Sequence, residues 1–529
     1  MIKLPVNYLI SFIFLLTSLP FYAQDIPEDV VCAYQQIDPG ALKAHMRFLA
    51  DDMLEGRKPF TNGYKLAAGY VASEFEETGL LPAMGDTSYF QEVPLIIDKS
   101  EVSGKLVILS SHEEKTLTYG EDVILVSHPD SITPSVREIV FAGSGIQDPA
   151  MGFNDLNNLK MMDKFVILYY DLSTDKPYEF LLKHMNDNLI NDIREAGAAG
   201  VILYIPPEMQ TRFSWNRFRT YFQQKKYEAS LSDFPVFLMD WKIVNEILQK
   251  SRPAIGSYIA GQTDPARFRI RASIRPEISI RQHQEIKKSM NVAAMLEGSD
   301  PDLKNEYFIY TAHLDHVGIG EPVDGDSIYN GAYDNASGIS ILIEMAKAFK
   351  RLESPPERSV LFIALTAEEM GLLGSEYYIE HPVVPLEKTA AMLNLDMFLM
   401  EKPLDEVVVL GESLSGLGQI AHRVCQLLDV RIVPDPLPEE KVFIRSDHFN
   451  FAKAGIPALF VINSFYKPGP GTTEPDPNYH WLKTFYHSPL DNFREDIHYD
   501  AGVKYAQINF LIGYLASNRK ERIKWNFDF

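Results

Sequence analysis

Over residues 289–517, short and almost wholly apolar runs alternate with longer amphipathic segments. This alternation constrains the fold more than any other feature of the chain. YFIYTA (307–312), SVLFIAL (359–365), AAMLNL (390–395) and ALFVI (458–462) have almost no polar face. A strand that is apolar on both faces has to be covered on both, as happens when helices lie over a parallel sheet. Further strands are expected at 291–296 and 407–411. Helices are expected at 337–351, 372–380, 416–428 and 500–517. The fold class is α/β, with a mostly parallel central sheet flanked by helices. In open sheets of this kind, functional residues gather at the carboxyl ends of strands.

The rest of the chain follows other patterns. Residues 39–90 predict two helices, 45–54 and 64–78, and a trailing loop. In the second helix Leu66, Ala67, Tyr70, Val71 and Phe75 recur at helical spacing. From 99 to 271 short strands dominate, at 106–109, 123–126, 138–142, 165–170, 201–205 and 236–239. Helices are expected there at 178–196 and 241–249. Residues 1–23 pair a lone charge, Lys3, with an apolar run over 8–19 and end at Ala23, the pattern of a cleaved signal peptide. The mature protein is therefore expected to be exported: periplasmic, at the cell surface or secreted. No later stretch is long and apolar enough for a transmembrane span.

Composition narrows the partners and the metal chemistry. A net charge of −22 argues against nucleic acid, which demands a positive footprint. The two cysteines, Cys32 and Cys425, are too few for a disulfide framework and cannot build a thiolate zinc site. Any bound metal must be held by His, Asp and Glu.

Such residues cluster at predicted strand ends. His313 closes YFIYTAH, and Asp315 lies two residues on, where an extended backbone puts both side chains on one face. A carboxylate there suits a hydrogen bond to the far imidazole nitrogen, fixing its tautomer. On the same reasoning His316 points the other way. Asp334 sits in GAYDNASG, where the bland alternative is a helix cap by Asp334 or Asn335. Glu368 and Glu369 follow the strand SVLFIALT. Two adjacent acids are costly to ionise in a buried place without a cation. One can bind metal while its neighbour reaches a water the metal acidifies, an arrangement suited to hydrolysis. Asp396 ends TAAMLNLDM. His487 follows a long loop over 464–487 that bears several prolines and glycines.

In order, HLDH, GDSIYNGAYDNASG, TAEEMGLLGS, NLDM, RSDHFNFAKAGIPAL and YHSPLDN resemble the motifs of the co-catalytic di-zinc aminopeptidase family. That family includes bacterial leucyl aminopeptidases and, more distantly, glutamate carboxypeptidase-like zinc peptidases and the transferrin receptor. The resemblance covers about 289–492. LADDMLEGRKPFTNGYKLAAGYVASEF is similar to the segment that leads into exported members. FAGSGI, KFVILYY and GAAGVILY resemble pieces of a protease-associated domain.

The resemblance implies a phosphorylase/hydrolase-like zinc exopeptidase core with an inserted, mainly β protease-associated domain. The expected layout is a signal peptide at 1–23, the first part of the peptidase domain at 24–98, the insert at 99–271 and the zinc peptidase domain at 272–529. It further implies two Zn2+ per chain. His313 and Asp396 would bind one zinc, Glu369 and His487 the other, with Asp334 bridging. Glu368 would be the general base, Asp315 would orient His313, and Tyr486 would donate to the oxyanion. Ser446, Asp447 and His448 match a recurrent motif without an assigned role, Asp447 being read as a loop or helix-capping residue. Where many relatives have an acid before the bridging aspartate, this chain has Tyr333.

The implied function is removal of N-terminal residues from peptides, with a peptide or small amide as substrate. Two other readings share the fold. A carboxypeptidase or other amidase would need a basic group for the substrate carboxylate, and Arg445 is the nearest in sequence. An inactive binding scaffold would show losses among the ligands or the base, whereas all six positions hold competent residues.

Overall fold

The computed structural model describes residues 26–527 apart from 86, 111–112, 128, 149–152, 250, 260–262, 467–475 and most of 170–187 and 206–232. The expected signal segment, 1–23, lies outside the described residues.

The apolar runs form the middle of a ten-stranded sheet. Across it run Tyr227–Glu228, Phe90–Asp98, Gln284–Leu296, Ser359–Leu365, Tyr307–His313, Thr389–Asn394, Ala458–Asn463, Glu406–Leu410 and Arg431–Ile432. Leu81–Pro82 is added beside Gln284–Leu296. The four neighbours from Ser359–Leu365 to Ala458–Asn463 are parallel. The strands outside them join antiparallel, through Gln284–Leu296 on one side and Glu406–Leu410 on the other. The sheet is thus mixed, where a mostly parallel one was expected.

The cause lies in Phe90–Asp98 and Gln284–Leu296, which pair along their length as a ribbon leading out to a second sheet and back. Of the two, the sequence pattern marks only 291–296 as strand. Phe90–Asp98 carries Pro94, opposite Lys288, at a point where its other neighbour, Tyr227–Glu228, no longer reaches. Proline is tolerated at such an edge, but it weakens the strand signal.

Alternation within the parallel strands explains their composition. Phe308, Tyr310, Ala312, Phe362, Ala364 and Leu393 face a core shared with helices Pro39–Leu49, Asn62–Glu77, Gly338–Lys350, Leu417–Leu427 and Tyr499–Ser517. Ile309, Leu361, Ile363, Met392 and Phe460 face the opposite core, with Tyr378 of Leu373–Glu380 and Phe451 of His448–Lys453. Gly338–Lys350 is apolar nearly all round because it is buried nearly all round. The expected first helix, 45–54, is Pro39–Leu49 followed by a separate 3-10 segment, Asp52–Arg57. Pro39 opens the helix, and the Asp38 carboxylate accepts from Gly40 N–H. Cys32 and Cys425 are both free. No helix among the described residues is long and apolar enough to cross a membrane.

The second sheet has eight strands: Glu114–Thr118, Glu101–Ser110, Ala272–Arg281, Arg137–Phe141, Phe165–Tyr169, Gly200–Tyr204, Val236–Met239 and Val123–Leu125. It has its own core, including Phe141, Phe165, Ile167, Ile202, Phe237 and Leu248. Ala272–Arg281 begins just past the expected boundary at 271 and pairs fully with Glu101–Ser110, so the crossing to the larger sheet comes after Arg281.

Candidate metal centre

Tyr307–His313 is flanked on its two sides by Ser359–Leu365 and Thr389–Asn394, so the chain order reverses across it. The crevice at such a switch point is where α/β sheets place ligands. His313 is the last residue of the central strand, Glu368 and Glu369 follow one neighbour, and Asp396 follows the other. Ala367, Met397 and His487 all have left-handed φ (56°, 48° and 51°). Non-glycine residues pay of order 1–3 kcal/mol for such conformations, which persist where surrounding structure enforces them.

Two sets of ligand atoms converge on Asp334. His313 Nε2 lies 3.1 Å from Asp396 Oδ1 and 3.2 Å from Asp334 Oδ1. His487 Nε2 lies 3.1 Å from Asp334 Oδ2 and 3.1 Å from Glu369 Oε2. His316 Nδ1 stands 2.7 Å from Glu369 Oε1 and 3.9 Å from Asp334 Oδ2. All five residues expected as ligands are therefore together, and His316 joins them. The expectation that His316 points away is wrong because the strand ends at His313, and period-two alternation ends with it.

These spacings fit a metal. Bonds of about 2.0–2.1 Å in a tetrahedron put ligand atoms about 3.3 Å apart. The donor set of imidazoles and carboxylates is that of zinc without thiolates. His313, Asp334 and Asp396 form one such group, and Asp334 belongs to a second with Glu369 and His316.

The electrostatics show what the cluster lacks. Burial, reinforced by Asp396 and Glu369, pushes the Glu368 carboxyl well above the ordinary range, against the pull of His313. Burial alone would raise Glu369 too, and Asp334 adds to that, but His316 and His487 bring it down to about 2. For His487 burial works downward, and the Asp334 and Glu369 carboxylates overcome it to reach about 10. Against burial, the surrounding carboxylates likewise hold the His313 imidazole well above its ordinary range.

Asp315 acts differently from expectation. Its carboxylate is 4.0 Å from His313 Nδ1, while its main-chain carbonyl stands at 3.2 Å and accepts from that nitrogen. The carboxylate instead receives the N–H groups of Glu368 and Glu369 at 3.1 and 3.3 Å, and so fixes the turn that carries the base and a ligand. Burial raises Asp315 to about 6. Glu368 has no side-chain hydrogen bond to another described residue. Tyr486 stacks on His487, ring centroids 3.9 Å apart, and burial beside Asp334 and Glu369 keeps its hydroxyl protonated.

Several residues without an expected role hold the ligands in place. Ser446 Oγ donates to Asp396 Oδ2 and accepts from Asn394 Nδ2 at 2.7 Å, and Asn394 in turn accepts from Thr311 at 2.6 Å. Asp447 stands at the start of His448–Lys453 but makes no capping bond. Its carboxylate accepts from Ser375 at 2.6 Å, and burial raises it to about 7. Asn335 joins Asp334 to Asp396: its Nδ2 donates to Leu395 O, and its Oδ1 accepts from Gly338 and Met397 N–H. Asp491 accepts from the N–H groups of Tyr333 and Asp334 at 2.9 and 3.0 Å, tying the His487 loop to the bridging position. Tyr333 donates to Glu401 at 2.9 Å, so an acid does stand beside it, supplied from another segment.

Arg57 is the deepest support. Fully buried, it donates to the carbonyls of Leu314 (2.9 Å), Asn330 (2.6 Å), Gly331 (2.9 Å) and Leu49. Burial lowers it to about 10, and Asp491, Asp334, Asp315 and Glu369 resist that fall. Gly331 (φ 59°) has to be glycine, because a Cβ there would lie 2.1 Å from Asp334 O and 2.5 Å from the His316 ring.

The loop expected over 464–487 contains a helix, Pro477–Thr484, started by the Asp476 side chain. Residues 467–475 lie outside the described ones.

Residues 291–511 match the model of peptidase family M28. The chain is 32% identical to aminopeptidase YwaD of Bacillus subtilis over 183 residues, 34% of this chain and 36% of that protein. It is 31% identical to leupeptin-inactivating enzyme 1 of Streptomyces exfoliatus over 176 residues, 32% of this chain and 34% of that one. It thus spans about a third of the length of these curated relatives. An aminopeptidase structure from Aneurinibacillus sp. strain AM-1 aligns over 94% of this chain and 99% of its own, at 16% identity and a TM-score of 0.46.

Proposed function

Since residues 291–511 belong to peptidase family M28, we propose that the protein is a zinc-dependent aminopeptidase that uses two zinc ions. One observation carries this reading: the two oxygens of Asp334 each face a different histidine–carboxylate pair, at 3.1–3.2 Å, with Glu368 beside them. His313, Asp396 and Asp334 would hold one ion, and His487, Glu369 and Asp334 the other. When bound, the ions polarise the scissile carbonyl and acidify water.

The chain's own groups do the rest. Glu368, whose side chain has no hydrogen bond to another described residue and which the Asp315-anchored turn holds, takes the proton of the attacking water and later gives it to the leaving amine. Tyr486, kept neutral, donates to the oxyanion that forms on the carbonyl oxygen. His313, Asp315 and Asp334 form the buried floor of the site.

Export is part of the proposal, on the composition of residues 1–23. So is the assignment of the smaller sheet as a protease-associated domain, on the three short sequence likenesses above. Arg445, the basic group a carboxypeptidase reading needs, is half-exposed, paired with Glu440 at 3.3 Å and within electrostatic reach of Tyr486, so dependence on a free amine is what separates the two readings.

The test is hydrolysis of aminoacyl-arylamides and short peptides with free and with blocked N-termini, with and without chelator. Chelator-sensitive cleavage that needs a free amine is the expected result. Equal cleavage of blocked substrates, or full activity in chelator, would overturn the reading.

A further inference from the structure

His316 is buried at 1% exposure, and its ring is wedged between the Gly331 backbone and the edge of His487, ring centroids 5.7 Å apart. Only one of its nitrogens has a partner. Nδ1 is 2.7 Å from Glu369 Oε1, while Nε2 is buried with no hydrogen-bond partner. A separation of 2.7 Å from an ionised carboxylate oxygen requires a proton on Nδ1, because two lone pairs at that distance repel.

Glu369 then has its two oxygens assigned to different tasks. Oε1 accepts from His316, and Oε2 faces His487 Nε2 at 3.1 Å, a separation suited to two ligands of one ion. We propose that His316 is a positioning residue that holds Glu369 as a one-oxygen ligand and thereby sets the affinity of the metal position Glu369 shares with His487. The inference rests on the proposed metal site and deepens it. No hydrogen bond or ion pair joins His316 to His313 or Asp396, and it stands 2.7 Å from Glu369 but 3.9 Å from the bridging Asp334, so the effect falls mainly on one of the two ions.

Ser446 is the counterpart on the other side, donating to Asp396 Oδ2 and leaving Oδ1 to His313. Each terminal carboxylate ligand thus has one oxygen tied by a hydrogen bond from outside the ligand set. Outer hydrogen bonds of this kind are worth about 10–100-fold in metal affinity.

The test measures zinc content and zinc affinity, by elemental analysis and chelator competition, on the full-length protein and on His316→Asn, His316→Gln and His316→Phe. The Asn amide nitrogen reaches the place of Nδ1, whereas that of Gln reaches the place of Nε2. His316→Phe and His316→Gln should keep one zinc at native affinity and hold the second about 10–100-fold more weakly. His316→Asn should hold both within a few-fold of the parent. Should His316→Phe fail to fold, the contrast between Asn and Gln carries the test. Two tightly held zincs in the Gln and Phe variants would overturn the inference. So would His316→Asn being as weak as His316→Gln, which would make the imidazole itself a ligand. A parent protein that takes up no zinc would instead overturn the proposed function on which the inference stands.

Discussion

His313 and His487 stand in equivalent relation to Asp334, yet they reach it by different routes. His313 terminates the central strand of the sheet, its side chain 1% exposed, with its far nitrogen on a main-chain carbonyl two residues away. His487 comes from a loop, 39% exposed, with left-handed backbone, and is held by stacking on Tyr486 and by the Asp491 tether four residues on. The floor position is built into the sheet, whereas the rim position is assembled by a loop closing onto it. A buried ligand whose partners are already paired loses little freedom on binding metal. A loop ligand pays its ordering cost when the ion arrives. The floor metal should therefore bind more tightly, and damage at the rim should be more local.

The bridge is the strongest lever on this contrast. Asp334→Asn touches both positions, and both zincs should be lost, with turnover falling well beyond the ~100-fold that outer hydrogen bonds carry. Retention of two zincs by elemental analysis would remove the shared-ligand geometry. Next come the two histidines. His313→Ala should empty the floor position and lower the melting temperature of the metal-free protein, because it opens a cavity under the sheet end. His487→Ala should leave the floor zinc bound and the metal-free protein about as stable as before. Equal losses in the two variants would erase the distinction between floor and rim.

Ser446→Ala should act on the floor alone. It frees Asp396 Oδ2, and the first zinc should weaken about 10-fold in chelator competition, the second not at all. A smaller effect is expected from pH. In the metal-free protein, burial raises Asp447 to about 7 and Asp491 to about 6, and the carboxylates around His487 raise it to about 10 against burial. All three values exceed the unfolded ones. Such groups contribute stability that is full below the unfolded pKa and lost as pH rises through the folded one. Glu369, depressed to about 2, works the other way below about 4.5. The chelator-treated protein should thus melt higher at pH 5.5 than at 8.5. The zinc-loaded protein should show the reverse, because protons compete for the histidines.

Much of this was legible in the sequence because the groups concerned sit at the ends of apolar strands. His313, Glu368, Glu369 and Asp396 each lie at or within a few residues of a strand end, and the spans of those strands differ little from expectation. The supports were harder to read for a physical reason. Arg57 binds carbonyls, which every residue has, so its partners leave no mark in sequence. Asp491 likewise works on peptide N–H groups. His316 was misread because a periodicity rule was carried past the last residue of the strand. The edge ribbon, Phe90–Asp98 with Gln284–Leu296, is half-exposed and bears a proline, and neither property resembles the buried strands beside it.

The central claim is that Glu368 moves the proton while Asp334 and its four partners hold the metal. Glu368→Gln separates the two roles, since it removes the base and keeps the shape. The measurement is zinc content and turnover of a free-amine aminoacyl-arylamide on the same preparation. Two zincs per chain with turnover reduced about 10²–10⁴-fold is the predicted result. Turnover equal to that of the parent protein at full zinc content would contradict it.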